Sequence, residues 1–307
     1  MDAQYVIWNY RAADFPALLQ LLQEAENHTP QGRPVTPRGL EEKLSHPYHV
    51  PEEDIFLLAA AGKPAGYLVF FPEIQIGRAI VEYWIRPELH DSRIPKDLLA
   101  TAEMRAQVLS ISRLNINTDE DDTSARETLE ALGFTIVRRA IEMSLDIRGY
   151  DPGALLDNVQ CRHLTDKEHG LLADLQNRAF EDHWGYNPNT PETIAHSTGL
   201  SRCTRDDVIL VIEDGHVGGY CWNCLLGNGR GRILMLGIDP KNRRRGLGRR
   251  VLAAGLVHLK GQGVTRAELT VDSENHSARR LYRAFGFLPG SQSYCYERPV
   301  AAAKAGL

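Results

Sequence analysis

Ile238-Asp239-Pro240-Lys241-Asn242-Arg243-Arg244-Arg245-Gly246-Leu247-Gly248 is the stretch from which the fold can be read. Before it runs Gly231 to Ile238, an apolar segment of strand character. After it, Gly248 to Lys260 sets Leu252, Leu256 and Leu259 on one helical face. A loop feeding a helix N-terminus presents backbone N–H groups that have no partner inside the helix. Glycines at alternate positions let such a loop turn tightly and let a ligand approach the backbone. The arginines, continued by Arg249 and Arg250, add charge and forked donors. A diphosphate fits this description. The lysine spacing of a Walker A loop and the dinucleotide pattern GxGxxG are both missing.

The rest of the composition narrows the ligand. The 307 residues are 43% hydrophobic and 24% charged, with a net charge of −5. That length suits two domains of about 150 residues. An acidic chain with one local cationic cluster points to a small anion, not to nucleic acid. Cysteine occurs at 161, 203, 221, 224 and 295. An odd count in a chain of this size argues against a disulfide framework. The Cys221-Trp222-Asn223-Cys224 spacing falls in a strand-like run with no second ligand pair beside it, so we read it as buried core and expect no metal. The first residues lack signal-peptide character and no apolar run approaches the ~20 residues of a membrane span, so a cytoplasmic location is expected.

The chain repeats itself at an offset of 153 positions. Asp54, Gly62, Gly66 and Tyr67 fall on Asp207, Gly215, Gly219 and Tyr220. Ser124-Ala125-Arg126 falls on Ser277-Ala278-Arg279, and Gly133-Phe134 on Gly286-Phe287. Glycines keep register with their turns over this whole diagonal, so the chain holds two copies of one fold. The turn-rich stretch Gly149 to Gly153 divides it into residues 1–150 and 151–307.

Within the second copy, Val159 to Leu164 predicts a strand. Thr165 is placed as the N-cap of a helix carrying Leu171, Leu172, Leu175 and Phe180. Thr190-Pro191 starts a short second helix. Asp214-Gly215 turns a hairpin between Val208–Glu213 and His216–Leu226. Ala267 to Val271 is a strand, Asn275 to Phe285 a helix stopped by Gly286, and Tyr294 to Tyr296 a last strand. Ala301 to Leu307 reads as a frayed tail. The order gives an α/β (α+β) mixed sheet with helices on both faces, built twice.

A second motif supports the first. Asn275 and Tyr282 lie seven apart, two helical turns, and share a face. Read alone they are a helix cap and a core tyrosine. Together with Arg243-x-x-Gly246-x-Gly248 and Leu281-Tyr282…Gly286-Phe287, they resemble the signature of the GNAT N-acetyltransferases, in the tandem, mycothiol-synthase-like branch of that superfamily. The resemblance covers the second copy fully and the first more weakly. It implies two tandem acyl-CoA N-acyltransferase folds with acetyl-CoA as acyl donor. Leu236, Gly237 and Ile238 would hold the pantetheine arm. Arg243, Arg244, Arg245, Gly246, Leu247, Gly248 and Arg249 would hold the pyrophosphate. Asn275, Ser277 and Tyr282 would also contact the cofactor, with Tyr282 protonating the departing thiolate. At the start of the strand entering the loop that branch has an acidic substrate contact; here Arg232 stands.

Acyl transfer by direct attack in a ternary complex requires a neutral amine and a site for the developing oxyanion. Backbone N–H groups of the strand from Leu234 to Ile238 can serve the latter. For the former, Glu181-Asp182-His183-Trp184 follows the first helix of the copy, a region that walls the acceptor pocket in this fold. Glu181 is the candidate base, and Asp182, His183 and Trp184 are candidate substrate contacts; the same residues also make an ordinary polar helix end. The partners expected are acetyl-CoA and a small amine, with no nucleic acid and no membrane. Two other functions share these residues: a non-catalytic acyl-CoA sensor and an acetyltransferase acting on a protein amine.

The first copy has lost this chemistry. At the places of Arg243, Gly246 and Gly248 stand His90, Arg93 and Pro95. Asp91 replaces Arg244, Asp122 replaces Asn275 and Leu129 replaces Tyr282. Proline has no N–H to give a phosphate and aspartate repels one. Residues 1–150 are therefore expected to be a degenerate copy and 151–307 the catalytic one.

Overall fold

The computed structural model describes residues 5–28, 35–89 and 93–301. In chain order these form β1 (Tyr5–Asn9), α1 (Phe15–His28), α2 (Pro37–Leu44), α3 (Pro51–Asp54), β2 (Ile55–Ala60), β3 (Lys63–Glu73), β4 (Arg78–Ile85), α4 (Ile94–Val108), β5 (Arg113–Asp119), α5 (Thr123–Ala131) and β6 (Thr135–Asp146). Then follow β7 (Gln160–His163), α6 (His169–Phe180), α7 (Pro191–Thr198), β8 (Gly199–Leu200), β9 (Cys203–Thr204), β10 (Val208–Glu213), β11 (His216–Gly227), β12 (Arg230–Ile238), α8 (Leu247–Gly261), β13 (Arg266–Asp272), α9 (His276–Ala284) and β14 (Leu288–Pro299). The expected mixed sheet with helices on both faces is present twice.

Two compact units result, Met1–Arg139 with Ser293–Leu307, and Ala140–Gln292. The first has strand order β1-β2-β3-β4-β5-β14 and the second β6-β13-β12-β11-β10-β7. Each sheet is antiparallel except for one parallel pair, β4–β5 in the first unit and β12–β13 in the second. Relative to a cut at residue 150, the units exchange their last strands. Ala140–Asp146 pairs with β13 in the second unit, and Ser293–Pro299 pairs with β5 in the first.

In the second unit β11 separates two cores by alternation. Cys221 faces α8 and α9 with Val251, Leu252 and Leu256. Tyr220 and Trp222 face α6 and α7 with Leu172, Leu175 and Ile194. The hairpin at Asp214-Gly215 has both residues left-handed, φ 52° and 78°, as its sequence predicts.

Three local expectations change. The Thr165 N–H and hydroxyl both donate to the Glu168 carboxylate, so the helix begins at His169 and not after Thr165. Leu171 is 39% exposed, because the buried stripe runs through Leu172, Leu175, Gln176 and Ala179. Cys224 is not simply packed in the core: it forms a disulfide with Cys203, while Cys221 stays a free buried thiol. Of the tail, residues 302–307 lie outside the described residues.

Candidate active site

The parallel pairing of β12 and β13 covers only Arg230–Ile233 against Arg266–Leu269. Beyond it both strands continue, to Ile238 and Asp272, without pairing to each other. The cause is local. Against β11, Trp222 pairs with Met235 but Asn223 pairs with Ile233, so Leu234 is an extra residue, a β-bulge. The bulge bends β12 away from β13, and Leu234 is 41% exposed. The backbone from Leu234 to Ile238 therefore borders an open wedge on its β13 side. Gly237 is tightly covered on its side-chain face: a Cβ there would lie 2.3 Å from Cε1 of Tyr220.

β12 leads into the arginine–glycine loop. Asp239 caps the turn at Pro240–Asn242 by accepting from Lys241 N–H, and it pairs with Arg178 of α6 at 2.9 Å. Burial opposes its ionisation, but the Lys241 N–H and the Arg178 guanidinium outweigh it and lower its pKa. Arg243 donates to the Ala179 carbonyl at 2.7 Å, so the end of α6 is clipped to the loop twice. Arg244 and Gly246 are both left-handed, φ 63° and 79°. Gly246 is the cap position of the 15-residue α8, and no side chain caps that N-terminus. Bare N–H groups and the positive end of the helix dipole meet here.

The five arginines do not act as one cluster. Arg245 pairs with Asp214 at 3.3 Å and Arg250 with Glu213 at 2.8 Å, both turned toward the β10–β11 hairpin. Arg249 lies 5.5 Å from the Phe285 ring. Arg244 has no hydrogen bond or ion pair among the described residues. Backbone geometry, more than summed charge, sets this loop apart. Arg232, at the entry of β12, is held by Glu142 and Glu268.

On the far side of the wedge, Asn275 caps α9 by accepting from Ala278 N–H at 3.0 Å, and Ser277 is exposed in the first turn. Asp122 does the same for α5 in the first unit, at 3.0 Å from Ala125 N. Tyr282 is 8% exposed and packs on Phe287 with ring centres 5.8 Å apart. Its pKa is raised, first by burial and then by Cys221, so the phenol keeps its proton.

Glu181 ends α6 and is exposed, as are Asp182, His183 and Trp184. His183 packs on Phe180 with ring centres 4.8 Å apart. Its pKa is lowered, chiefly by that desolvation and next by Arg243, against the pull of Asp182 and Asp272. The fold thus brings the predicted acceptor wall beside the loop arginine and the end of β13. Sequence reading missed Tyr220, Arg178 and the Asp239 clamp. Tyr220 stood in the repeat diagonal, but only register shows that it covers Gly237.

Among the described residues, the first unit lacks these features. β3 and β4 pair from Gly66↔Ile85 to Glu73↔Arg78 with no bulge, and Trp84 stands opposite Tyr67 where Gly237 stands opposite Tyr220. Arg93 is right-handed, φ −70°, where Gly246 is left-handed, and Pro95 is buried in the first turn of α4. Leu129 fills the place of Tyr282. His90 and Asp91 lie outside the described residues.

A family profile described as acetyltransferase (GNAT) family matches residues 15–134 and again 172–287. The chain belongs to the GNAT acetyltransferase family. It is an N-acetyltransferase of tandem type, both copies being recognised. Among curated proteins this GNAT chain is 26% identical over 254 residues to a mycothiol acetyltransferase of Cellulomonas flavigena, covering 78% of the chain and 73% of the relative. It is 28% identical over 175 residues to the mycothiol acetyltransferase of Propionibacterium freudenreichii subsp. shermanii, covering 54% of the chain and 55% of that relative. Two solved structures share its fold. A tandem GNAT protein from the clavulanic acid biosynthesis pathway has TM-score 0.74 at 17% identity, over 98% of this chain and 100% of that one. A GCN5-related N-acetyltransferase from Sphaerobacter thermophilus has TM-score 0.73 at 21% identity, over 97% of each. No helix among the described residues is long and apolar enough to cross a membrane.

Proposed function

We propose that this chain transfers the acetyl group of acetyl-CoA to the primary amine of a small molecule, by direct attack in a ternary complex, and that 151–307 carries the reaction while 1–150 is a degenerate copy. The observation behind this is the open wedge at Leu234–Ile238 running into the left-handed loop at the uncapped N-terminus of α8. The backbone of Leu236, Gly237 and Ile238 suits an extended pantetheine arm. The loop from Arg243 to Arg249 suits its diphosphate, with Arg244 and the bare amides in the leading part and Arg245 recruited from its exposed pair with Asp214. Asn275 and Ser277, at the start of α9, complete the cofactor contacts.

The reacting carbonyl would then lie by β12, whose free N–H groups stabilise the oxyanion. Tyr282 gives its proton to the thiolate as the intermediate collapses. Its raised pKa guarantees that the proton is there at every working pH. Glu181 takes the amine proton, with Asp182, His183 and Trp184 holding the acceptor. The mycothiol acetyltransferases among the relatives favour an acetyl donor and a small acceptor over a protein amine.

Calorimetric titration with coenzyme A, together with a thiol-release assay against a panel of small amines, tests the reading. Tyr282→Phe is expected to keep coenzyme A affinity and to lower turnover by roughly 10²-fold or more, the usual worth of a general acid. Unchanged turnover removes Tyr282 from the mechanism, and absence of binding removes the function.

A further inference from the structure

Two arginines pointing opposite ways join the last turn of α6 to the cofactor loop. Arg178 reaches from the helix to Asp239, its Nε and Nη2 donating to one carboxylate oxygen at 3.2 and 2.9 Å. Arg243 reaches back from the loop and donates to the Ala179 carbonyl at 2.7 Å. A carbonyl in the last turn of a helix has no donor within the helix, and Arg243 supplies one. The chain then runs through Phe180 straight into Glu181–Trp184. Phe180 holds that segment by ring contacts to His183 at 4.8 Å and Tyr186 at 5.5 Å. Asp239 is a fixed anchor for this end of α6. It is buried and directly follows Ile238. Its N–H donates to the Gly218 carbonyl at 2.9 Å, and its carbonyl accepts from Asn242 N–H at 2.8 Å.

The first unit has a counterpart of the Arg178–Asp239 pair with the charges inverted. Glu24 of α1 stands 154 positions before Arg178; at that offset the buried Leu18 and Leu21 fall on the buried Leu172 and Leu175. Arg86 stands 153 positions before Asp239 and donates to Glu24 from Nε and Nη2 at 3.0 and 3.1 Å. The main chain around the anchor is the same. Arg86 N–H donates to the Ala65 carbonyl at 2.9 Å, and its carbonyl accepts from Leu89 N–H at 2.9 Å. Where both signs change and the contact stays, the fold keeps the tie and not either charge. In the second unit that tie runs from the end of β12 to the predicted acceptor wall.

We propose that Arg178 is a positioning residue: through Asp239, and together with Arg243, it makes Glu181–Trp184 and the cofactor loop move as one body, so that coenzyme A bound at the loop also orders the acceptor wall. Arg243 suits this role because a guanidinium has five donors. One Nη2 on the Ala179 carbonyl leaves the others for a phosphate, so the cofactor tightens the link without breaking it. Ordering done by the first ligand need not be repeated by the second, which makes cofactor and amine bind cooperatively. The coupling is reciprocal, so an amine seated on the wall raises coenzyme A affinity by the same factor.

The proposal rests on the acetyltransferase reading above, and its test separates the two. Coenzyme A titration of the full chain comes first; no binding overturns both. Amide hydrogen exchange is then followed with and without saturating coenzyme A. In the wild type the cofactor is expected to slow exchange at the loop and also, by about fivefold or more, at 180–186. Protection of the loop with 180–186 unchanged overturns the coupling and leaves the cofactor site intact. The Arg178 side chain is 50% exposed, and pairs of that kind add little to stability, so Arg178→Ala should melt close to the wild type. It is expected to bind coenzyme A and keep the loop protected while losing the protection of 180–186. If both segments stay protected in that variant, Arg178 positions nothing. Arg178→Glu combined with Asp239→Arg rebuilds the pair of the first unit and is expected to restore the protection at 180–186. A swapped variant that binds coenzyme A and leaves 180–186 unprotected overturns the tie as its cause.

Discussion

Gly248 and Gly246 look alike in the sequence and differ in what they do. Gly246 needs its left-handed conformation, φ 79°, although a Cβ there would meet nothing within 4 Å. An alanine at 246 costs backbone strain alone, about 1–2 kcal/mol. Gly248 is helical, and its added Cβ would make an ordinary 3.7 Å contact with Leu281. Nothing in the fold demands glycine there, and the proposed cofactor cradle gives its bareness a use. Gly248→Ala is therefore expected to stabilise the chain by about 0.5–1 kcal/mol, as in other helices, while weakening coenzyme A binding by tenfold or more. A thermal melt and a calorimetric titration on the same sample read the two effects, and a variant that gains stability at full affinity contradicts the cradle. The sequence displayed both glycines, but only φ angles and neighbours tell a conformational glycine from one kept clear. The arginines carry the same lesson. Their number suggested a pooled charge, yet Glu213 and Asp214, some thirty residues earlier, take two of them.

Helix starts and tight turns are local in sequence, and most were legible; the start of α6 was not, because Thr165 turns its N–H and hydroxyl to Glu168 instead of capping the helix. Asn275 and Asp122 each cap a nine-residue helix through one backbone N–H. Asn275→Ala is expected to cost about 1 kcal/mol and Asn275→Asp almost nothing, since either side chain can accept that bond; denaturant melts check both. If Asn275 also touches the cofactor, the aspartate variant will lose coenzyme A affinity at unchanged stability. The bulge at Leu234 was not legible, because it exists only in the register of β12 against β11. The disulfide was hidden for a related reason. Residues three apart on a strand face opposite sides of the sheet, so Cys221 and Cys224 cannot meet. Cys224 meets Cys203 instead, 21 residues earlier, across β9 and β11. Closing a loop of that length restricts the unfolded chain by about 3 kcal/mol in the loop-entropy picture. Reduction, or Cys203→Ser, should lower stability by up to that amount, measured by urea melts with and without dithiothreitol. Equal melts would mean that the bond contributes nothing to the native state.

At the scale of the whole chain, the duplication was plain in the sequence and the strand exchange was not. β6 and β14 are the same strand of the two copies, 153 positions apart, so each reads as the end of its own half. Their side chains differ in size where it matters. Tyr294 and Tyr296 are buried in the first unit, and their hydroxyls donate to Glu120 and Glu130 at 2.9 and 2.8 Å. The equivalent positions of β6 are Ile141 and Met143, which pack in the second unit. If β6 took the place of β14 it would leave voids where the two tyrosine rings pack and lose both hydroxyl–carboxylate bonds. The reverse replacement would force two phenols into space shaped for aliphatic chains. Each error costs several kcal/mol by ordinary core-substitution energetics. Fragments 1–150 and 151–307, expressed apart, must each accept the wrong strand or leave an edge open. Each alone is expected to melt far below the full chain or to aggregate. Mixed after co-expression, they should form a one-to-one complex that recovers cooperative melting and coenzyme A binding, read by light scattering and calorimetry. Were 151–307 alone to bind coenzyme A as tightly as the full chain and melt at the same temperature, β6 would be dispensable to the second unit, and the exchange would be a matter of connectivity with no energetic consequence.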